Sequence, residues 1–124
     1  MSVIREHQAV AHQLHGATFH SFVAPSSGSA ELCAWRLDIA AGTVGVPHRV
    51  SREEILLIMS GEIMATVDGA ATTVRPGEVI FVPAGASFGV DNTSGGPASA
   101  WVTTTVGLEA TLADGSSISP PWVR

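Results

Sequence analysis

A chain of 124 residues closes one hydrophobic core and leaves no length for a second domain of ordinary size. With 45% hydrophobic and 14% charged residues it is too apolar for a disordered segment; a net charge of -5, no lysine and six arginines scattered from Arg5 to Arg124 argue against the clustered basic face of a nucleic-acid binder. No apolar run approaches the roughly 20 residues of a bilayer crossing, and the opening Met1-Ser-Val-Ile-Arg-Glu-His7 lacks the apolar stretch of a secretory signal, so a cytoplasmic location with no membrane partner is expected.

Residues 3–14 scatter Val3, Ile4, Val10, Ala11 and Leu14 among polar groups, a pattern that fits either a short helix or an irregular lead-in. His7, His12, His15 and His20 fall in or near this segment, but spacings of five, three and five residues match no compact metal site; solvated or capping roles are expected. From residue 18 the pattern turns to β, with short runs at 18–24, 31–39, 55–59, 63–67, 72–74, 79–82, 87–90 and 98–106 separated by Gly, Pro, Ser, Asp or Asn. So many short strands predict an all-β sandwich or barrel, with its core over about 18–108. Asp68-Gly69 between two β runs predicts a type I′ hairpin, whose two central residues both need positive φ. Cys33, alone in the chain, can form no intrachain disulfide and reads as a small buried hydrophobe. Residues 109–124 read as a C-terminal tail, and Pro120-Pro121 ahead of Trp122 makes it either loose or a strap laid over an apolar surface.

Two blocks carry the functional signal. The first is Gly42-Thr-Val-Gly-Val-Pro-His48-Arg-Val50-Ser-Arg-Glu-Glu54, followed by Gly61; the second is Gly77-Glu-Val-Ile-Phe-Val-Pro83-Ala-Gly85-Ala-Ser-Phe88-Gly-Val-Asp-Asn92. They resemble the paired motifs of the cupin family, G-x5-H-x-H-x3-E-x6-G and G-x5-P-x-G-x2-H-x3-N, except that Val50 and Phe88 stand where two histidines belong. The resemblance implies a single RmlC-like cupin domain over 1–124, a double-stranded β-helix or jelly-roll barrel, and a homodimer. It also implies a divalent metal (Fe, Mn, Ni, Zn or Cu) at the ligand positions of the motif. Independently of the family, side chains two apart on a strand share a face, so positions 48 and 50 look into the barrel together and Glu54 joins them from the next strand.

The chemistry then divides. His48 and Glu54 are two donors beside two apolar side chains, too few to hold a first-row metal in defined geometry unless His20 or Cys33 turns inward as a third. Without a metal, no cofactor is expected, and an imidazole and a carboxylate in an apolar pocket suit general acid-base work on a small apolar organic ligand. Val50 and Phe88 would border that ligand. Trp35, Phe81 and Trp101 would line the pocket or serve as ordinary core, according to strand parity. Three classes stay open: a metal-independent isomerase or cyclase, a metal-dependent dioxygenase or decarboxylase with an altered ligand set, and a non-catalytic binding or sensing module. No Gly-x-Ser-x-Gly nucleophile and no phosphate-cradling glycine loop is present in the sequence.

Overall fold

The computed structural model describes residues 3–124. After a 3-10 turn at Glu6–Gln8 come β1 (Val10–Leu14), β2 (Ala17–Val23), β3 (Leu32–Ile39), β4 (His48–Val50), β5 (Glu54–Ser60), β6 (Ile63–Val67), β7 (Ala70–Val74), β8 (Val79–Val82), β9 (Ser87–Asp91), β10 (Ala98–Thr105), β11 (Ala110–Thr111) and β12 (Ser117–Ile118). A last 3-10 turn, Pro121–Val123, ends the chain. The strands form two six-stranded antiparallel sheets, ordered β1-β2-β3-β10-β5-β8 and β12-β11-β4-β9-β6-β7. From β3 onward the chain crosses repeatedly from one sheet to the other, which is the winding of a jelly roll and accords with the all-β barrel expected from the sequence.

The alternation of apolar and polar residues sets which face of each strand is buried. In β5, Glu54, Leu56 and Ile58 point inward; in β10, Ala98, Ala100 and Val102 do; in β3, Cys33, Trp35, Leu37 and Ile39 do. These meet Ile63, Ala65 and Phe88 from the opposite sheet in one core. Leu56, Ile58 and Val102, each 1% exposed, contribute about 1.5–3 kcal/mol apiece by burial.

Several motif residues have a structural task. Gly61 turns the chain between β5 and β6 at φ 73°, and a Cβ there would stand 2.4 Å from the Pro97 carbonyl oxygen, so only glycine fits. Asn92 is fully buried; its amide nitrogen donates to the carbonyls of Ile39 (3.0 Å) and Gly96 (2.9 Å), and its oxygen accepts from the Ser94 hydroxyl (2.7 Å). That one side chain pins the end of β3 to the loop before β10. The Pro83–Gly85 turn is held to β4 by a hydrogen bond from the Gly85 N–H to the Val50 carbonyl (2.7 Å), which lays β9 alongside β4.

One expectation is corrected and one open alternative is decided. Residues 10–14 form an edge strand rather than a helix or lead-in, closed onto β2 by His15-Gly16 at φ 49° and 80°, nearly the conformation of Asp68-Gly69 at 47° and 83°. His-Gly is a weaker hairpin signal than Asp-Gly, and for that reason the first hairpin is hard to read in the sequence while the second is plain. Of the two readings of the C-terminal tail, the strap over an apolar surface holds and the loose tail does not. β11 pairs with β4, β12 pairs with β11, and Trp122 stacks on Phe19 with ring centroids 3.6 Å apart and planes 9° from parallel.

Candidate functional site

Between the sheets lies a cavity of about 180 Å³ with a mostly apolar wall. Phe19, Trp35, Phe88 and Trp122 supply aromatic surface; Leu37, Leu56, Val90 and Val102 supply aliphatic surface; His15, His48 and Glu54 are its titratable side chains. Each arrives by strand parity. His48 opens β4 directly opposite Phe88 of β9, and their rings meet edge to face at 6.1 Å. Glu54 opens β5, paired with Val82 on one side and Thr104 on the other; the Thr104 hydroxyl donates to the Glu53 carbonyl (2.7 Å) and fixes where that strand begins.

Glu54 is 6% exposed and receives no hydrogen bond or ion pair from His48 or any arginine. Removed from water without compensation, its carboxyl is pushed up to about 7. His48 bonds through Nδ1 to the Val46 carbonyl (3.0 Å). Because a carbonyl can only accept, that nitrogen carries the proton, and Nε2 is left to accept from a ligand when neutral or donate to it when protonated. The two groups therefore face the cavity from opposite sheets, β4 and β5, with no ion pair between them. Trp35 adds a third polar feature: among the described residues its indole nitrogen is the one buried side-chain N or O atom lacking a hydrogen-bond partner. A lone buried donor of this kind costs about 1–3 kcal/mol.

The other sequence candidates separate. Val50 is 1% exposed and packed into the core beside the cavity, and it does not line the wall. Phe81 and Trp101 are corrected: Ile80, Val82, Ala100 and Val102 take the inward positions of β8 and β10, so their neighbours face out. Phe81 is 53% exposed, and Trp101 lies against Phe22 at 5.4 Å on the outside of the first sheet. His20 also points outward, because Phe19 takes the inward position, and pairs with Asp38 at 2.9 Å. Cys33 faces inward but its sulfur contacts the Val123 carbonyl at 3.6 Å, and burial pushes its thiol up. Neither joins His48 and Glu54, and among the described residues no three His, Cys, Asp or Glu side chains are grouped to hold a metal ion. The donor set does not fit the metal that the motif would carry, since Val50 and Phe88 supply hydrocarbon where nitrogen is needed. Sequence reasoning missed Phe19 and His15, whose inward direction depends on the unread first hairpin.

The match to known proteins agrees with this geometry. A family model described as the cupin domain matches residues 35–106, more than half of the chain. The chain belongs to the cupin family. Among curated proteins nothing matches. Solved structures similar to this cupin include the polyketide cyclase RemF from Streptomyces resistomycificus, 18% identical with a TM-score of 0.76 over 85% of this chain and 79% of that one. Another is an RmlC-like cupin from Shewanella frigidimarina, 19% identical with a TM-score of 0.69 over 80% and 85%. A third is a sugar phosphate isomerase from a cupin superfamily of Silicibacter pomeroyi, 16% identical with a TM-score of 0.67 over 83% and 76%. At such identities the likeness carries the jelly-roll fold of the cupin and leaves its chemistry to its own residues. Among the described residues of this cupin no helix is long and apolar enough to cross a membrane.

Proposed function

We propose that this cupin binds a small, largely apolar organic molecule between its sheets and moves a proton on it, as an isomerase or cyclase does, with Glu54 as the acid-base group and His48 as the second polar contact. The observation that carries the reading is the Glu54 carboxyl, buried in an apolar wall without a protein partner and poised at about 7. A group with that pKa is abundant in both protonation states near neutrality, the condition under which it both takes and returns a proton efficiently. The ionised form accepts a proton from a carbon made acidic by an adjacent carbonyl, and the neutral acid returns it at another position. With its ring protonated and oriented by the Nδ1 bond to Val46, His48 donates from Nε2 to the oxygen that gains charge in between. The unpartnered indole N–H of Trp35 supports a ligand that brings a hydrogen-bond acceptor of its own.

The reaction proposed is metal-independent and needs no cofactor, because at the four motif positions two side chains are donors and two are hydrocarbon. A bicyclic ketone such as 2-tetralone tests the reading without knowledge of the natural ligand. In deuterated buffer the wild type should bind it, quenching tryptophan fluorescence, and speed deuterium uptake beside the carbonyl. Glu54→Gln should lose that acceleration by roughly 100- to 10,000-fold while binding within a few fold of wild type. Binding without any exchange above buffer would overturn the catalytic reading and leave a binding module.

A further inference from the structure

The apolar wall of the cavity does not stop where solvent begins. Along the segment leading into β4, exposure falls from 53% at Val46 through a half-buried His48 to 1% at Val50, which marks the direction from mouth to floor. Leu14 of β1 and Ile118 of β12, from the end strands of the two sheets, also line the cavity while 43% and 42% exposed. Leu14, Val46 and Ile118 thus form an aliphatic collar continuous with the buried surface around Glu54, where residues that meet water would ordinarily turn polar. Polar groups are few in it. The Thr43 hydroxyl donates to the Ala40 carbonyl (2.7 Å), and His15 is the one exposed titratable side chain of the lining. No arginine or aspartate lines the cavity, and its one glutamate, Glu54, is buried.

We infer that the ligand is longer than the cavity: its carbonyl end sits beside Glu54 and His48, and an uncharged hydrocarbon chain leaves through the mouth along the collar. The inference rests on the function proposed above and adds the class of substrate. A dry cavity of about 150 Å³ holds one benzene ring. The 180 Å³ here therefore seats a ring with a short substituent, or about eight atoms of chain, and anything longer lies against Leu14, Val46 and Ile118. Hydrocarbon gains by covering those side chains. A charged or sugar-like extension would give up water there with His15 alone to replace it. A methylene taken fully out of water is worth about fourfold in affinity, and one covered by the collar on a single side about twofold. The collar thus selects for chain length, while the floor selects for the carbonyl.

A series of methyl ketones from 2-hexanone to 2-dodecanone tests this, with binding read by the fluorescence of Trp35 and Trp122 in the cavity wall. Affinity should keep rising beyond 2-octanone and gain about tenfold by 2-dodecanone. Leu14→Ser with Ile118→Ser should cut that gain to threefold or less. Should the pair fail to fold, Ile118→Thr alone keeps the β-branch on its strand and should at least halve the gain. A wild-type gain below threefold, or an undiminished gain in a folded variant, would overturn the inference even if the collar bound phosphatidylcholine vesicles or a second copy. Deuterium uptake beside the carbonyl is read separately. A gain with chain length but no uptake supports the collar and overturns the acid-base reading alone, whereas uptake without the gain overturns the collar alone.

Discussion

Replacing Glu54 by glutamine should make the protein more stable, and only at high pH. The folded-state carboxyl sits at about 7 against an ordinary value of 4.5, a difference of about 2.5 units, which corresponds to a ceiling of about 3 kcal/mol. Between those two values the folded protein binds a proton that the unfolded chain has released, so stability falls as pH rises through the window. Below pH 4.5 both states are protonated and nothing is lost; above pH 7 the full cost of a buried, uncompensated carboxylate is present. Glutamine matches the neutral acid in shape and never ionises. The variant should therefore equal the wild type near pH 4.5 and exceed it by up to about 3 kcal/mol at pH 8.5, roughly 10 °C in Tm for a chain of this size. Calorimetry or urea unfolding of both proteins at pH 4.5, 6, 7 and 8.5 measures it, and subtracting one curve from the other removes the histidines, which both proteins share. A stability difference that stays constant across that range would refute the argument, because it would mean that the carboxyl titrates alike in the folded and unfolded states.

Three further substitutions probe the site and its frame. Phe88→His places an imidazole directly opposite His48 beside Glu54, so cobalt(II) or zinc affinity, read by visible absorption or titration calorimetry, should rise at least 100-fold over wild type; unchanged affinity would mean that position 88 does not reach the same point in the cavity. Trp122→Ala removes the aromatic strap from Phe19 and should cost about 3 kcal/mol in urea unfolding, whereas a loss below about 1 kcal/mol would show that the C-terminal turn is not part of the cavity wall. Gly61→Ala meets both a positive φ and the Pro97 carbonyl, so a loss of about 2 kcal/mol or more is expected in the same assay, and a neutral result would contradict the close approach.

The barrel was legible because its punctuation is local. Ile63–Val67 and Val79–Val82 are bounded in sequence by Gly, Pro and Asp-Gly, and the structure begins and ends those strands where the sequence does. The direction of a side chain is less local. Phe81 and Trp101 look like cavity residues by type, yet a shift of one position along a strand exchanges inside for outside, and only pairing with Ile55 and Leu57 fixes the choice. The first hairpin and the C-terminal strap were harder again. β1 gains its stability from β2, and Trp122 from Phe19 across a separation of more than 100 residues, so neither shows as a strong pattern in its own window.

Two departures from the family motif, Val50 and Phe88, account for several properties of the site together. In the family motif, Glu54 would share its cavity with three imidazoles and a cation, and a carboxylate beside a cation stays ionised to low pH. Here Phe88 presents a hydrocarbon ring at 6.1 Å from His48, Val50 is sealed in the core, and no arginine reaches Glu54. The same substitutions that remove the metal donors also remove what would hold the acid's charge, so its affinity for a proton rises to meet neutral pH. Fewer metal donors and a carboxyl with a raised proton affinity are then two consequences of the same two residues. The Phe88→His variant links them: with a divalent cation bound beside it, Glu54 should lose its raised pKa, and the pH dependence of stability measured against Glu54→Gln should collapse in the presence of metal.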